Sequence, residues 1–393
     1  MTSLRTPIAG CRALALALTL AALALAGLGP TTARASGERA LVLASRPSAD
    51  EAIGVAGLYT WLDGLRVVRA RNGAYAVVAG PLASGEADAL RARLVAEGAI
   101  PPDAFLGDPG RLADAVWAPS DPGEAVAFVG EPLVWEVDGV ELRVAYADAD
   151  DEFAPPLVEG FANGTRVFSA LLEEAAFSRL VPVRLRALAL DPQRPRERQI
   201  VVTTFSGGAH CCAQVRIFAR IGPGAFAEID GGMLDGDEGF LFEDLDGGGT
   251  AELTSGDQSF LYAFGPYVTS FMPLRVERLV GTRLVDLRGD ASVRHAFVRD
   301  RARLEHVADL HPELWNENGF LAAWVATMAN LGAFDEAWER MLRSYDRTSD
   351  WPFAICEGER VDGLCPEALE RPARFPEALE EHLRETGYLP AGR

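Results

Sequence analysis

Apolar positions between residues 39 and 111 follow in turn the period of a strand and that of a helix. Ala40 to Ser45 is a short apolar run, and the capping box Ser48-Ala49-Asp50-Glu51 then predicts the start of a helix. Asn72-Gly73 predicts a hairpin turn between two further strands, because both residues tolerate positive φ. Ser84 begins a second helical pattern, and Ala104 to Leu106 is a last short strand. The predicted order of elements is βαββαβ.

Residues 117 to 307 are mostly short apolar or alternating runs separated by Gly, Asp and Pro. This pattern predicts an all-β domain, either a sandwich or a partial propeller. The predicted strands are residues 133–137, 141–145, 183–190, 199–205, 213–219, 260–264 and 292–297. Residues 165–174 fit either a strand or a helix.

The helical period returns from about His311. Leu321, Trp324, Val325 and Met328 have helical spacing, and a second helix and a last one follow at 334–342 and 375–383. The predicted fold class is therefore α+β multidomain. We expect a signal peptide (1–35), a βαββαβ domain (36–115), a mainly-β domain (116–307) and a small α-helical C-terminal region (308–393).

The first 35 residues have the three parts of a secretory signal peptide. Arg5 and Arg12 supply positive charge, residues 13–26 are almost all Ala and Leu, and Ala33-Arg34-Ala35 supplies small residues for cleavage. We expect export to the periplasm or cell envelope, with no membrane contact after cleavage. A retained membrane anchor is the alternative, although the apolar run is short for a span.

Net charge argues against nucleic acid as a partner. The 393 residues include 37 basic and 57 acidic side chains, which gives −20, and every basic residue is Arg. Phosphate contacts require a basic face, so we expect no nucleic-acid binding.

Export also makes the cysteines candidates for disulfides. Cys356 and Cys365 enclose a short polar loop, and we expect them to pair. Cys211 and Cys212 would then remain, as a vicinal pair or as two thiols. Cys11 would be removed with the signal peptide, so four of the five cysteines remain; they allow three connectivities, and the sequence does not choose among them.

Three segments of the first predicted domain resemble the SPOR (sporulation-related) family: residues 75–81 (YAVVAGP), Glu86-Ala87 and residues 96–100 (AEGAI). The resemblance implies a ferredoxin/RNP-like βαββαβ fold in the bacterial envelope. It also implies binding of peptidoglycan glycan strands without catalysis.

A four-stranded sheet with two helices on one face leaves its other face open to a polymer. By strand alternation, Ala76 and Val78 share one face of the third strand, which is the ligand face in this interpretation. The polar candidates for glycan contact are Ser45, Arg46, Arg69 and Arg71, since sugar hydroxyls and wall carboxylates need such partners.

The segment Ser206 to Cys212 is a Gly-rich turn that places His210 beside two cysteines. Such residues can ligate a soft metal or form a nucleophile and its base. The plainer interpretation is a tight buried turn. The string GGAHCC resembles a stretch of uncharacterised exported bacterial proteins, which implies no activity.

The chain has no G-x-S-x-G or H-E-x-x-H motif, so we expect that the protein is not an enzyme. A thiol-dependent wall hydrolase using His210 and Cys211 is the alternative.

Residues 244–253 (DLDGGGTAEL) are similar to the calcium loop of FG-GAP and integrin-type propeller blades. The resemblance implies calcium as a cofactor, with Asp244, Asp246 and Glu252 as ligands. Gly248 stands where a further acidic ligand is expected. A calcium-dependent adhesion or sensing module is therefore a further alternative.

The leading hypothesis is an exported, non-catalytic protein that binds peptidoglycan, because the evidence for it spans a whole domain.

Overall fold

The computed structural model describes residues 38–59, 62–97, 99–109, 112, 115–118, 123–151, 153–175, 181–208, 211–235, 240–358 and 365–390. The predicted signal peptide and His210 lie outside these residues. The described chain is mixed α/β, mostly β sheets with a small helical C-terminal part. Within it, no helix has the length and apolar character needed to cross a membrane.

The N-terminal part is an antiparallel sheet, sheet A, with two helices. Its elements are β1 (Glu38–Arg46), α1 (Ala49–Ala56), β2 (Arg66–Arg69), β3 (Tyr75–Ala83), α2 (Ser84–Ala96), β4 (Phe105–Gly107) and β5 (Ala115–Trp117). The spatial order is β4-β1-β3-β2-β5. The Oγ atom of Ser48 accepts a hydrogen bond from the backbone N–H of Glu51 at 3.3 Å, as the capping box predicts. β5 extends the sheet beyond the four predicted strands, so the predicted boundary at 115 falls inside a strand.

Three further sheets are built from antiparallel strands. Their strands are β6 (Glu124–Phe128), β7 (Leu133–Val137), β8 (Val140–Tyr146), β9 (Pro156–Ala162), β10 (Thr165–Leu171), β11 (Val183–Leu188), β12 (Gln199–Phe205), β13 (Cys211–Gly222), β14 (Ala225–Asp235), β15 (Leu241–Glu243), β16 (Glu252–Gly256), β17 (Leu274–Val280) and β18 (Arg283–Asp286). Sheet B has the order β14-β13-β12-β11-β6, sheet C is β10-β9-β8-β7 and sheet D is β15-β16-β17-β18.

Sheet B lies between sheets C and D and is buried on both faces. One core joins it to sheet C through residues such as Trp135, Leu142 and Phe218. The other core joins it to sheet D through residues such as Ile217 and Phe242. Neighbouring residues of β13 therefore point into different cores, since strand side chains alternate. This stacking is the sandwich of the prediction, with a third sheet added, and not the propeller.

The C-terminal part is helical. It contains α3 (Arg294–Leu310), α4 (Asn318–Asn330), α5 (Phe334–Ser344) and α6 (Phe375–Glu385), and the short strands β19 (Ala354–Cys356) and β20 (Glu370–Pro372) form a small sheet. The predicted pair of helices around Gly332 corresponds to α4 and α5. The predicted boundary at 307 falls inside α3, so the helical part begins earlier than the sequence indicated.

Two predicted strands are wrong. Residues 292–297 lie in a short 3-10 turn and the first turn of α3. Phe260 ends another 3-10 turn and residues 261–264 follow it. Phe260 and Phe264 are buried in the core of the helical part. Their apolar runs reflect burial against helices, which a short apolar run does not distinguish from a strand. The ambiguous residues 165–174 form β10 followed by a 3-10 turn.

The N-terminal part contacts the rest of the molecule through α1, which packs on α3. Glycine permits this approach: a Cβ atom on Gly54 would lie 2.7 Å from Cγ1 of Val298, and one on Gly57 would overlap the side chain of Arg299. Arg299 also reaches sheet D, where its Nη1 atom lies 2.6 Å from Oε2 of Glu243. Helix α3 therefore contacts both α1 and sheet D.

Candidate functional site

A cleft of about 780 Å³ lies on sheet A, and we call it the sheet A cleft. It is on the side that carries Val42 and Ala76, whereas Leu41 and Val77 point into the core under the two helices. Its lining includes both charged and polar side chains and one exposed ring: Glu38, Arg39, Ser45, Asn72, Asp103 and Phe105. The ring of Phe105 is 56% exposed.

The structure brings only part of the predicted glycan-binding set to this cleft. Ser45 and Ala76 line it, and Ser45 is exposed. Arg46, Arg69 and Arg71 are not among the described lining residues. Arg46 donates a hydrogen bond to the carbonyl oxygen of Ser45 at 2.9 Å.

The predicted open face of sheet A is partly closed, which corrects the expectation for Ala76 and Val78. Ala76 is 6% exposed and Val78 is fully buried. Both belong to a small apolar cluster against which Leu112, from the segment after β4, is packed. Burial of these apolar strand residues is favourable, and Leu112 removes part of their surface from water. Asn72, Asp103 and Phe105 replace them as candidates for contact, and only the assembled sheet places these three together.

The acidic loop after β15 brings its three predicted ligands together. One carboxylate oxygen from each of Asp244, Asp246 and Glu252 lies within 4.8 Å of the other two. Glycines shape the loop, since Gly247 and Gly249 have φ of 74° and 81°. Backbone donors hold the carboxylates: Gly248 N–H donates to Asp246 at 2.7 Å, and Gly249 N–H donates to Asp244 at 2.9 Å.

Arg278 from β17 supplies a cation to this cluster. Its Nη2 atom donates to Oδ2 of Asp246 at 2.6 Å and to Oε1 of Glu252 at 2.7 Å. Glu252 is fully buried, and its other oxygen accepts the backbone N–H of Leu245 at 2.9 Å. Burial raises the pKa of Glu252, and the hydrogen bonds from Leu245 and Arg278 oppose that rise.

This donor set does not suit a calcium ion as it stands. Ca²⁺ takes six to eight oxygen ligands, typically about 2.3–2.6 Å away. Here two of the three carboxylates already pair with a guanidinium, and a bound ion would have to displace Arg278. Calcium binding stays a prediction, and the geometry favours an internal ion pair in its place.

The expected cysteine pair is a disulfide in the structure, and so is the pair that the sequence left open. Cys356 and Cys365 are joined, with Cα atoms 5.7 Å apart, and Cys211 is joined to Cys212. Ser206 holds the second pair at the start of β13, because its Oγ atom accepts the N–H of Cys212 and donates to the carbonyl oxygen of Cys211, each at 2.6 Å. A nucleophilic cysteine requires a free thiolate, which these two sulfurs do not offer while they are joined.

Fold and sites together define a multidomain protein of stacked β sheets with a helical C-terminal part. The family model described as the sll0997 C-terminal domain matches residues 297–387. The chain is 32% identical over 254 residues to the probable thylakoid lumen protein sll0997 of Synechocystis sp. PCC 6803, covering 64% of this chain and 73% of that protein. The chain belongs to the sll0997 family.

A second relative is an uncharacterized protein, y4bJ of Sinorhizobium fredii NGR234. It is 38% identical over 358 residues, covering 90% of this chain. The chain spans 56% of the length of that protein. No solved structure matches the chain.

Proposed function

We propose that this protein is an exported, non-catalytic binding protein that holds glycan strands of peptidoglycan in the sheet A cleft. The observation that carries the proposal is the cleft itself, which is open, about 780 Å³ in volume and mixed in chemistry. Asn72, Ser45 and Asp103 offer hydrogen-bonding groups to sugar hydroxyls, and Phe105 offers a flat apolar surface. The SPOR resemblance of the same domain supports the ligand class.

Export is supported by two further observations. One relative is named as a probable thylakoid lumen protein, and the thylakoid lumen is a compartment that proteins reach by export. The two disulfides also suit an oxidising compartment. We therefore propose a location in the periplasm or cell envelope, and we expect no role for nucleic acid.

The two alternative functions have less support from the geometry. A calcium-dependent module would need the acidic loop to exchange Arg278 for an ion. A thiol-dependent hydrolase would need a free thiolate at Cys211.

Sedimentation of the full chain with purified sacculi tests the proposal. Sacculi are used intact and after an amidase has removed the stem peptides, and binding should rise after removal. Phe105→Ala should weaken binding roughly two- to tenfold, the range expected from loss of an aromatic contact. Phe153→Ala is a matched control, because Phe153 is also 56% exposed and does not line the cleft. Lack of sedimentation with either kind of sacculus, or equal weakening by both variants, would overturn the proposal.

A further inference from the structure

A second concave site lies where several separate segments of the chain meet, and we call it the junction pocket. Its volume is about 480 Å³. The end of β14, strand β16, the segment 261–274 and helix α3 form its walls. None of its lining residues belongs to the sheet A cleft or to the acidic loop.

Apolar side chains surround the mouth of the junction pocket and remain exposed there. Val268 is 81% exposed, Leu241 is 52% exposed and Tyr267 is 36% exposed, and all three line the pocket. The ring of Tyr262 lies beside that of Tyr267, with centroids 5.8 Å apart, and is also exposed. Soluble proteins usually expose large apolar side chains singly, so a group at one concave site indicates binding.

The wall segment 261–274 is held in place by its own hydrogen bonds. Tyr262 has φ of 58°, a conformation uncommon for a residue with a side chain. The Oγ atom of Ser270 accepts the N–H of Tyr262 at 3.1 Å and donates to the carbonyl oxygen of Gly265 at 3.0 Å. Such cross-links within the segment form the pocket before any ligand arrives, as is usual for small-molecule sites.

The floor of the pocket carries a charge pair that is already balanced. Asp300 is 4% exposed and accepts hydrogen bonds from Leu274 N–H at 3.0 Å and from Thr327 Oγ1 at 2.7 Å. The Nη2 atom of Arg303 donates to Asp300 at 2.8 Å and to the carbonyl oxygen of Met272 at 3.1 Å. The guanidinium of Arg303 is therefore paired with the carboxylate of Asp300.

The remaining polar lining disfavours an anionic ligand. Asp235 adds a carboxylate at the end of β14, where its Cα lies opposite that of Cys211 in the sheet register. Thr254, Ser255 and Ser270 add hydroxyl groups. A ligand with a negative head group would approach the carboxylate of Asp235, whereas a hydroxyl or carbonyl group would meet hydroxyl groups that can hydrogen-bond to it.

We propose that the junction pocket binds a small, uncharged and mostly apolar molecule that carries a hydroxyl or carbonyl group. The volume lies within the range of about 300–1,000 Å³ that is common for small-molecule sites. The apolar mouth receives the body of the molecule, and the hydroxyl groups of β16 face its polar end. This activity is separate from glycan binding and does not depend on it.

Fluorescence titration of the full chain with N-phenyl-naphthylamine, an uncharged apolar dye, tests the proposal. We expect saturable binding with a blue shift. Anilinonaphthalene sulfonate has the same ring system with a negative group, and it should bind at least about tenfold more weakly, since a tenfold change needs only about 1.4 kcal/mol. Equal or stronger binding of the sulfonate dye would overturn the uncharged ligand class.

Two charged substitutions at the mouth locate the site. Val268→Glu and Leu241→Glu should each weaken dye binding about tenfold or more, because they place a carboxylate beside an apolar ligand. Both residues are more than half exposed, so the variants should keep the thermal midpoint of the parent chain.

Two controls carry the same new charge elsewhere. Val129 is 66% exposed and does not line the pocket, so Val129→Glu should bind the dye as the parent does. Phe105→Glu tests the sheet A cleft as the dye site and should also leave dye binding unchanged. Absence of saturable binding, unchanged binding in both mouth variants, or loss in Phe105→Glu would each overturn the proposal.

Discussion

The sheet A cleft and the junction pocket are concave sites that differ in how the chain forms them. The cleft is larger, and its lining comes from one part of the chain, residues 38–112. The pocket is smaller, and its lining comes from residues 234 to 303, which lie at strand ends in two sheets, in an irregular segment and in a helix. The lining of the cleft is therefore complete within one small domain, whereas the lining of the pocket forms only when separate segments pack together.

The largest expected effect separates the two sites by damaging sheet D alone. Arg278→Leu leaves the fully buried carboxylate of Glu252 without its guanidinium. Removing one partner of a buried pair typically costs about 3–5 kcal/mol. We expect that loss in the free energy of unfolding measured by urea denaturation. Dye binding at the junction pocket should fall with it, while the sheet A cleft should retain sacculus binding.

An exposed pair provides the control for Arg278→Leu. Arg166 contacts Glu159 at 2.9 Å, but its side chain is 60% exposed, so Arg166→Leu should cost about 1 kcal/mol or less. Calcium added to the parent chain should leave its thermal midpoint unchanged, since Arg278 already pairs with the acidic loop. A similar loss of unfolding free energy in both arginine variants would show that the buried pair stabilises the fold no more than the exposed pair. A thermal midpoint that rises with added calcium would support the calcium hypothesis.

A smaller effect breaks the contact between the two site-bearing regions. Gly54→Val places a side chain against Val298 and the backbone of Arg299, where a Cβ atom has no room. Such overpacking typically costs about 1–3 kcal/mol. We expect the unfolding of sheet A to separate from that of the rest, seen as a second transition in calorimetry. Gly85→Val in α2 meets open space and should leave a single transition at the parent midpoint.

The smallest effect is a pH dependence at the same contact. His295 in α3 is 7% exposed, and its Nε2 atom has no hydrogen-bond partner among the residues that the structure describes. Burial lowers its pKa and the nearby Arg299 lowers it further, whereas Asp50 in α1 and Glu243 in β15 oppose the shift. The folded state therefore disfavours the protonated imidazole. Stability is fully present above the unfolded value of 6.5 and is lost as pH falls below it.

His295→Asn should reduce that loss, because the variant has no group to protonate. Urea denaturation at about pH 7.5 and about pH 5 measures it. His311→Asn is the control, since the side chain of His311 is 61% exposed. If the parent and His295→Asn lost the same stability over this range, His295 would not be the titrating group at the contact.

Local signals in the sequence predicted much of the fold. The capping box at Ser48, the Asn72-Gly73 turn and the spacing of Leu321 to Met328 each correspond to an observed element. These signals act within a few residues, so they do not depend on distant packing. Apolar runs without such signals failed, as at Phe260, because burial against helices and burial in a sheet give the same local composition.

The candidate sites depend on contacts between segments that lie far apart in the sequence. The sequence placed Ala76 on the ligand face of sheet A, but it did not indicate that Leu112 would pack over that face. It found Asp244, Asp246 and Glu252 as a group, but Arg278 lies more than 20 residues later and has no local motif. The junction pocket had no signal at all, since Leu241, Val268 and Arg303 share no spacing.

The packing of α1 on α3 also determines where mechanical load would enter the molecule. A protein held by a glycan strand in sheet A and pulled from its other end would carry tension through two routes. One is the chain that leaves β5 toward β6, and the other is the glycine-lined contact of Gly54 and Gly57 with α3. Since α3 also contacts sheet D through Arg299, the tension would spread over a packed helix and would not fall on one linker.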